Sequence, residues 1–328
     1  MTDRMEWYKL GIDIGGTNVA MGIVDQDGTV YKKRSIPYPS YERSPERRME
    51  IIAEEAKELE REFDRYLNGM GAAVPGSVDS RTGVITDAYN LGLHNADLYS
   101  VLRRYFPFMP ISVMNDADAA AIAEHDHGAL QDVENGAVLT LGTGLGGGLI
   151  INGRLFSGGL GNGCELGHST LVHGGEKCTC GNEGCAEVYC SATALVRLGR
   201  EAALSGKSPA LKAALIGGLT ARRIIELARE GDEGAREAFY RYADYLSSFA
   251  ASLFNLLDLE LIALGGGVSG AGDFLFDAVN ARLDDKCFYK RHGKVVGAAL
   301  GNDAGLIGCV GEANKNPYSL DYRGYFSR

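Results

Sequence analysis

One pattern constrains this chain more than any other, and it occurs twice: an apolar run, a turn of glycine and small polar residues, then a second apolar run. Residues 8–25 read YKLGIDIGGTNVAMGIVD, and residues 137–151 read AVLTLGTGLGGGLII. Each stretch predicts two strands joined by a glycine turn, and the recurrence predicts two related α/β domains. A third glycine turn, Gly265-Gly266-Gly267, follows the apolar segment 259–264. Glycine lets backbone N–H groups approach an anion closely, because no Cβ intervenes. A tight hairpin would account for one such turn alone. Three in one chain, the first preceded by Asp13, point to a nucleotide held between two domains.

The remaining pattern fills in around these blocks. The Asp27-Gly28 turn leads into a third strand over 29–35. Ser44-Pro45 supplies an N-cap and a first helical residue. Ile52, Ala56, Leu59, Phe63 and Leu67 follow at helical spacing, with Asn68-Gly69 as the expected end. Strands are expected over 70–74, stopped by Pro75-Gly76, and over 111–114, followed by a helix over 117–124. Phe239, Tyr242, Leu246, Phe249, Leu253 and Leu256 mark a long amphipathic helix. Further helices are expected over 274–283 and 302–313. The domain division that follows is 1–117, rejoined by a C-terminal helix within 302–328, and 118–301, which carries a Gly- and Cys-rich loop over 157–190.

Charge and hydropathy exclude several function classes. With 33 basic and 43 acidic side chains the net charge is −10, which argues against nucleic acid as the main partner. No segment reaches the roughly 20 apolar residues of a membrane helix, and no apolar signal core precedes Asp13. The chain reads as cytoplasmic, without a membrane partner. Gly142 to Gly147 matches the dinucleotide fingerprint GxGxxG, but that fingerprint must open a helix. Here another apolar strand, 149–151, follows, so a dinucleotide fold is excluded.

Asp13 and Asp116 each end an apolar run, where open α/β sheets present ligand-binding groups. One carboxylate could hold Mg²⁺ through water while the other takes a proton from an attacking hydroxyl. The competing role for Asp116 is to cap the helix after it, a position Asp118 could fill equally. Of the 7 cysteines, three lie between Cys178 and Cys185, and His168 precedes them. Cys178, Cys180, Cys185 and His168 make a Cys₃His set suited to tetrahedral zinc, and four protein ligands would make that zinc structural. His173 is a rival fourth ligand, and a loop of free thiols is the competing reading. Cys164, Cys190, Cys287 and Cys309 have no pattern and are expected as small buried apolar residues. His94, His125, His127 and His292 are expected on the surface or in packing roles.

Together these motifs resemble the ROK-type sugar kinases (repressor, open reading frame, kinase) of the actin/hexokinase/Hsp70-like ATPase superfamily. The matching residues are Asp13-Ile-Gly-Gly-Thr17, Pro75-Gly76 leading to Asn90-Leu91, Asn115-Asp116 with the alanine-rich run to Glu124, and Leu141-Gly-Thr-Gly-Leu-Gly-Gly-Gly148. Glu165-Leu-Gly-His168, Cys178-Thr-Cys-Gly-Asn-Glu-Gly-Cys-Ala-Glu187, Leu264-Gly-Gly-Gly267 and 301–308 complete the set. The resemblance implies two ribonuclease-H-like (actin-like ATPase) domains with a cleft between them. It implies ATP-dependent phosphorylation of a hexose at the 6-hydroxyl, with Asp116 as general base. Gly76, Asn90, Asn115, Glu165, His168 and Glu187 would bind the sugar, with His168 also a zinc ligand. Asp13, Gly15, Gly16, Thr17, Thr143, Gly144, Gly146 and Gly147 would face the ATP phosphates and Mg²⁺, and Gly265, Gly266 and Gly267 the adenosine. Cofactors would be ATP, Mg²⁺ and a structural Zn²⁺, and the assembly a homodimer or homotetramer.

Two positions depart from the family. Cys164 stands where the family often has Gly, and Leu93-His94 stands where many glucose-specific members carry Trp. Glucose is the first expectation, with N-acetylhexosamines, fructose, mannose and allose as alternatives. Sugar-responsive repressors of the same family carry an N-terminal helix-turn-helix. Here the first phosphate motif begins at Asp13, which favours a kinase.

Overall fold

Apolar residues on both faces of the first strand require cover on both sides. In β1 (Tyr8–Ile14) every residue but Asp13 is buried. The computed structural model describes residues 7–79, 82–160 and 163–311. They form two units, the described residues of 7–131, 154–164 and 302–311, and those of 132–153 and 165–301.

In the first unit β1 joins β2 (Asn18–Asp25), β3 (Val30–Pro37), β4 (Leu67–Val74) and β8 (Ile111–Asn115) in the order β3-β2-β1-β4-β8. The first three strands are antiparallel neighbours, whereas β4 runs parallel to β1 and β8. A small sheet of β5 (Ser77–Asp79), β6 (Val84–Ala88) and β7 (Leu93–Ala96) carries the next segment.

Helix α1 (Pro45–Arg61) begins as expected, with Ser44 Oγ accepting the Arg47 N–H and Pro45 in the first turn. It ends earlier than Asn68-Gly69. Leu67 continues the helical spacing by coincidence but pairs with Tyr8 in the sheet, and Asn68-Gly69 lies within β4. Helices α2 (Leu98–Tyr105) and α3 (Asp116–His127) follow.

The last described helix, α11 (Ala304–Gly311), lies against this sheet, backbone against backbone. A Cβ added at Gly71 would come 1.9 Å from Cys309 O, and one at Gly308 would come 1.6 Å from Ala119 O. Ser112 Oγ donates to Cys309 O at 2.8 Å, and buried Lys9 donates to Val310 O at 2.8 Å. Close packing on α11 keeps α3 with the first sheet. The division therefore falls after Gln131 and not at residue 117, and 154–164, with the two-residue strand β11 (Arg154–Leu155), groups with the first unit. Residues 312–328 of the expected C-terminal segment lie outside the described residues.

The second unit repeats the plan. Its strands β10 (Leu145–Ile151), β9 (Gly136–Leu141), β12 (Leu261–Gly265) and β13 (Lys294–Gly297) match β2-β1-β4-β8 in order and sense. Helices α4 (Glu187–Cys190), α5 (Ala192–Leu204), α6 (Pro209–Ala214), α7 (Ala221–Glu230), α8 (Glu233–Leu257), α9 (Asp273–Asn280) and α10 (Leu283–Lys286) complete it. Helix α8 buries Phe239, Tyr242, Leu246, Phe249 and Leu253, whereas Leu256, in its last turn, is exposed. Tyr242 donates to Cys190 O at 2.7 Å and ties α8 to α4. No helix among the described residues is long and apolar enough to cross a membrane.

Candidate active site

Parallel strands bring their carboxyl ends to one edge, and that edge of the first sheet carries the acidic residues. Asp13 is the penultimate residue of β1, Gly76 follows β4, and Asn115-Asp116 joins β8 to α3. Gly76 has φ +104°, and a Cβ there would come 2.2 Å from Asp87 O. Asn115 donates to Gly76 O at 2.8 Å, and its Oδ1 accepts the N–H groups of Ala117 at 2.8 Å and Asp118 at 3.1 Å. The cap of α3 is thus Asn115, neither Asp116 nor Asp118. Asp116 stands at the first helical position, its Oδ1 accepting the Ala117 N–H at 2.9 Å. Burial raises its pKa above the ordinary carboxylate range. Asp13 is pushed up to about 6, mainly by burial and then by the charge of Asp116. Its carboxylate abuts Gly305 in the first turn of α11, where a Cβ would come 2.5 Å from Oδ2.

Between β1 and β2, Gly15 donates to Asn18 O at 2.8 Å, and exposed Thr17 accepts the Tyr38 N–H at 3.0 Å through its carbonyl. Gly16 has room. The nearest atom to a Cβ there would be Asn90 Cβ at 3.8 Å, which also places Asn90 beside this turn. Asn90 sits on the 3₁₀ turn Tyr89–Leu91. Leu91 O anchors that turn by accepting from Arg48 Nη1 at 2.8 Å and the Tyr38 hydroxyl at 3.0 Å. Sequence reasoning missed both supports, since no motif links Arg48 or Tyr38 to Leu91.

In the second unit two glycine turns follow the adjacent parallel strands β9 and β12. Gly266 is required by its φ of +81° and by Leu141, whose backbone a Cβ would meet at 2.7 Å, while Gly267 faces open space. Gly142, also open, and exposed Thr143 occupy the other turn. Gly146 and Gly147 lie beyond it, inside β10, where a Cβ at Gly147 would come 2.7 Å from Leu166 Cδ1.

The loop that follows gathers His168, Cys178, Cys180 and Cys185, whose ligand atoms lie within 4.8 Å of one another, and His173 is not among them. Cys180 Sγ and Cys185 Sγ are 3.7 Å apart, and Cys178 Sγ is 3.6 Å from His168 Nδ1. A tetrahedron with metal–sulfur bonds of ~2.3 Å has edges of ~3.8 Å, so these spacings and donors fit zinc. No disulfide forms, since an S–S bond is ~2.05 Å. Gly181 at φ +93° and Gly184 at φ +78° allow the loop to fold back on itself. His168 faces the cluster with Nδ1, which leaves Nε2 for another partner. Glu165 is exposed ahead of the 3₁₀ turn Leu166–His168, and Gly167 lets that turn lie against β10, for a Cβ there would meet Leu145 O at 2.0 Å. Cys190, Cys287 and Cys309 are buried and Cys164 is half-buried.

Two α/β units of one sheet plan, with glycine turns at the strand ends of both and acidic residues at those of the first, define the actin-like ATPase fold. Within that class the chain belongs to the ROK family, whose model matches residues 9–315. It is 34% identical over 325 residues to a glucokinase of Halalkalibacterium halodurans, covering 94% of each chain. Among solved structures it is similar to a ROK family glucokinase from Streptomyces griseus in complex with glucose and AMPPNP. The TM-score is 0.80 at 32% identity, covering 94% of this chain and 99% of that one. A ROK hexokinase from Thermus thermophilus gives a TM-score of 0.78 at 33% identity, covering 93% and 97%.

Proposed function

We propose that this chain transfers the γ-phosphoryl group of ATP to the 6-hydroxyl of a hexose, glucose first among them. The observation that carries the reading is Asp116: a desolvated carboxylate at a strand end, relieved of helix capping by Asn115. Its carboxylate would take the hydroxyl proton as the sugar oxygen attacks phosphorus. Asn90, Asn115, Glu165, His168 and Glu187 would hold the other hydroxyls, with Gly76 fixing the turn under Asn115. Among the described residues, Asn115 has one amide hydrogen left beyond its bond to Gly76 O. Gly15, Gly16, Thr17, Thr143, Gly144, Gly146 and Gly147 would face the phosphates, and Gly265 to Gly267 the adenosine. The names of the relatives above support ATP and glucose. A coupled ADP-release assay over glucose, mannose, fructose, allose and N-acetylhexosamines tests the reading. Glucose should give the highest kcat/KM, and turnover of none of these sugars would overturn it.

His168, Cys178, Cys180 and Cys185 would hold a structural Zn²⁺, and Asp13 would hold Mg²⁺ through water. A raised carboxylate pKa has a definite sign. Between about pH 4 and about pH 6 the folded chain keeps a proton on Asp13 that the unfolded chain releases, so this group's contribution to stability falls as pH rises through that window. A bound cation favours the ionised form. Binding of Mg²⁺–nucleotide just below about pH 6 should therefore release a proton, read from calorimetric heats in buffers of different ionisation enthalpy. In Asp13→Asn that release should vanish.

Gly16→Val should raise the KM for ATP several-fold while sugar affinity without nucleotide stays near wild type, because a Cβ there meets no protein atom closer than ordinary contact. Normal ATP binding by calorimetry in this variant would show that the β1–β2 turn holds no phosphate.

A further inference from the structure

Three hydrogen bonds from one stretch, 187–193, converge on the turn after β9. Glu187 Oε2 accepts the Leu145 N–H at 3.0 Å, the Ala192 N–H donates to Gly142 O at 2.8 Å, and Thr193 Oγ1 donates to Thr143 O at 2.8 Å. Gly144, the remaining residue, is packed so closely that a Cβ would come 2.4 Å from Glu187 Oε2. Leu145 is buried, so its N–H has little access to water if Glu187 is lost. The Gly142 N–H is spent internally, on Thr140 O at 3.2 Å and Gly144 O at 3.1 Å. Among the described residues, that leaves the N–H groups of Thr143 and Gly144 to face an anion. The turn's power to bind phosphate thus depends on the stretch that grips it from behind. That stretch begins two residues after Cys185, and the other oxygen of Glu187 lies 3.7 Å from Cys178 Sγ.

We propose that Glu187 and Thr193 are positioning residues for the nucleotide: they clamp the Gly142–Leu145 turn in the shape that presents its N–H groups to the phosphates. This rests on the proposed phosphate role of that turn. Glu187 then serves both substrates, since a hexose that fixes its carboxylate also steadies the turn, and by linkage nucleotide and hexose strengthen each other's binding.

The test is the dissociation constant of Mg²⁺–AMPPNP, measured by calorimetry without hexose, where a residue that only touches sugar has no effect. Glu187→Ala should weaken binding about tenfold, and Thr193→Val about threefold. Glu187→Gln keeps an oxygen for the Leu145 N–H, and Thr193→Ser keeps the hydroxyl, so both should stay within about twofold of wild type. If Glu187→Ala does not fold, the Thr193→Val and Thr193→Ser pair decides. Gly142→Val reports on the turn itself, since its side chain would enter open space. If Gly142→Val weakens binding while Glu187→Ala and Thr193→Val do not, the clamp is overturned and the phosphate role of the turn stands. If Gly142→Val has no effect, that role fails, and the clamp with it.

Discussion

Asp116→Asn should lower kcat by about 10²–10⁴-fold, the loss expected when a general base is removed, while hexose affinity changes far less. The two carboxylate functions that could confuse this result are separated in the structure. Helix α3 starts on Asn115, which accepts the N–H groups of Ala117 and Asp118. An asparagine at 116 still has an oxygen for the Ala117 N–H that Asp116 accepts at 2.9 Å. The fold is therefore spared and the base alone is lost. The complementary variant, Asn115→Ala, removes the cap and the bond to Gly76 O, at a stability cost of ~1 kcal/mol. The pH profile supplies an independent check. Burial raises Asp116, so in the wild type kcat/KM should fall on the acid side at a pH above the ordinary carboxylate range, as the base becomes protonated. In Asp116→Asn the residual rate should lose the part of that limb due to Asp116 and keep only what the titration of Asp13 adds. Near-normal turnover in the purified variant would take Asp116 out of the role.

The features legible in the sequence are those whose cause is local. A glycine turn after an apolar run reads directly as a strand end, and strand ends carry Asp13, Gly76, Asp116 and the two glycine turns of the second unit. The repeat of one sheet plan was visible because the turn chemistry itself is repeated. Contacts that join distant segments left no such mark. Glu187 reaches Leu145 across 42 residues, and Arg48 reaches Leu91 across 43, with no spacing rule connecting either pair. The choice between His168 and His173 depended on how the loop folds back, which Gly181 and Gly184 control through their positive φ angles. Spacing also misled. Leu67 lies four residues after Phe63, in phase with α1, yet α1 stops at Arg61 and Leu67 begins β4. The capping role went to Asn115 because an N-cap must precede the first helical residue, and Asp116 already has helical geometry.

Purified protein should contain about one zinc per chain, and Cys180→Ser should lose most of it, because a closed structural site depends on all four ligands. The consequence for function follows from what the loop supports. His168 and Glu187 are the sugar-reading candidates nearest the cluster, and His168 turns Nδ1 toward Cys178 Sγ. With the metal in place the imidazole is fixed and Nε2 is directed elsewhere. Without it, the bridge of Thr170 to Cys185 and the positive-φ turns at Gly181 and Gly184 lose the centre that would join His168 to the three cysteines. Cys180 is itself exposed, so replacing it with serine leaves the packed part of the unit alone and isolates the effect of the metal. Hexose affinity should fall by about 10–100-fold, the range seen when support around a metal site is removed. Nucleotide affinity should fall less, since Thr193 and Ala192 still grip the turn after β9. Elemental analysis finding no zinc in active enzyme would overturn the metal site. Zinc that can be removed without any change in hexose affinity would leave a metal that braces the loop and takes no part in reading the sugar.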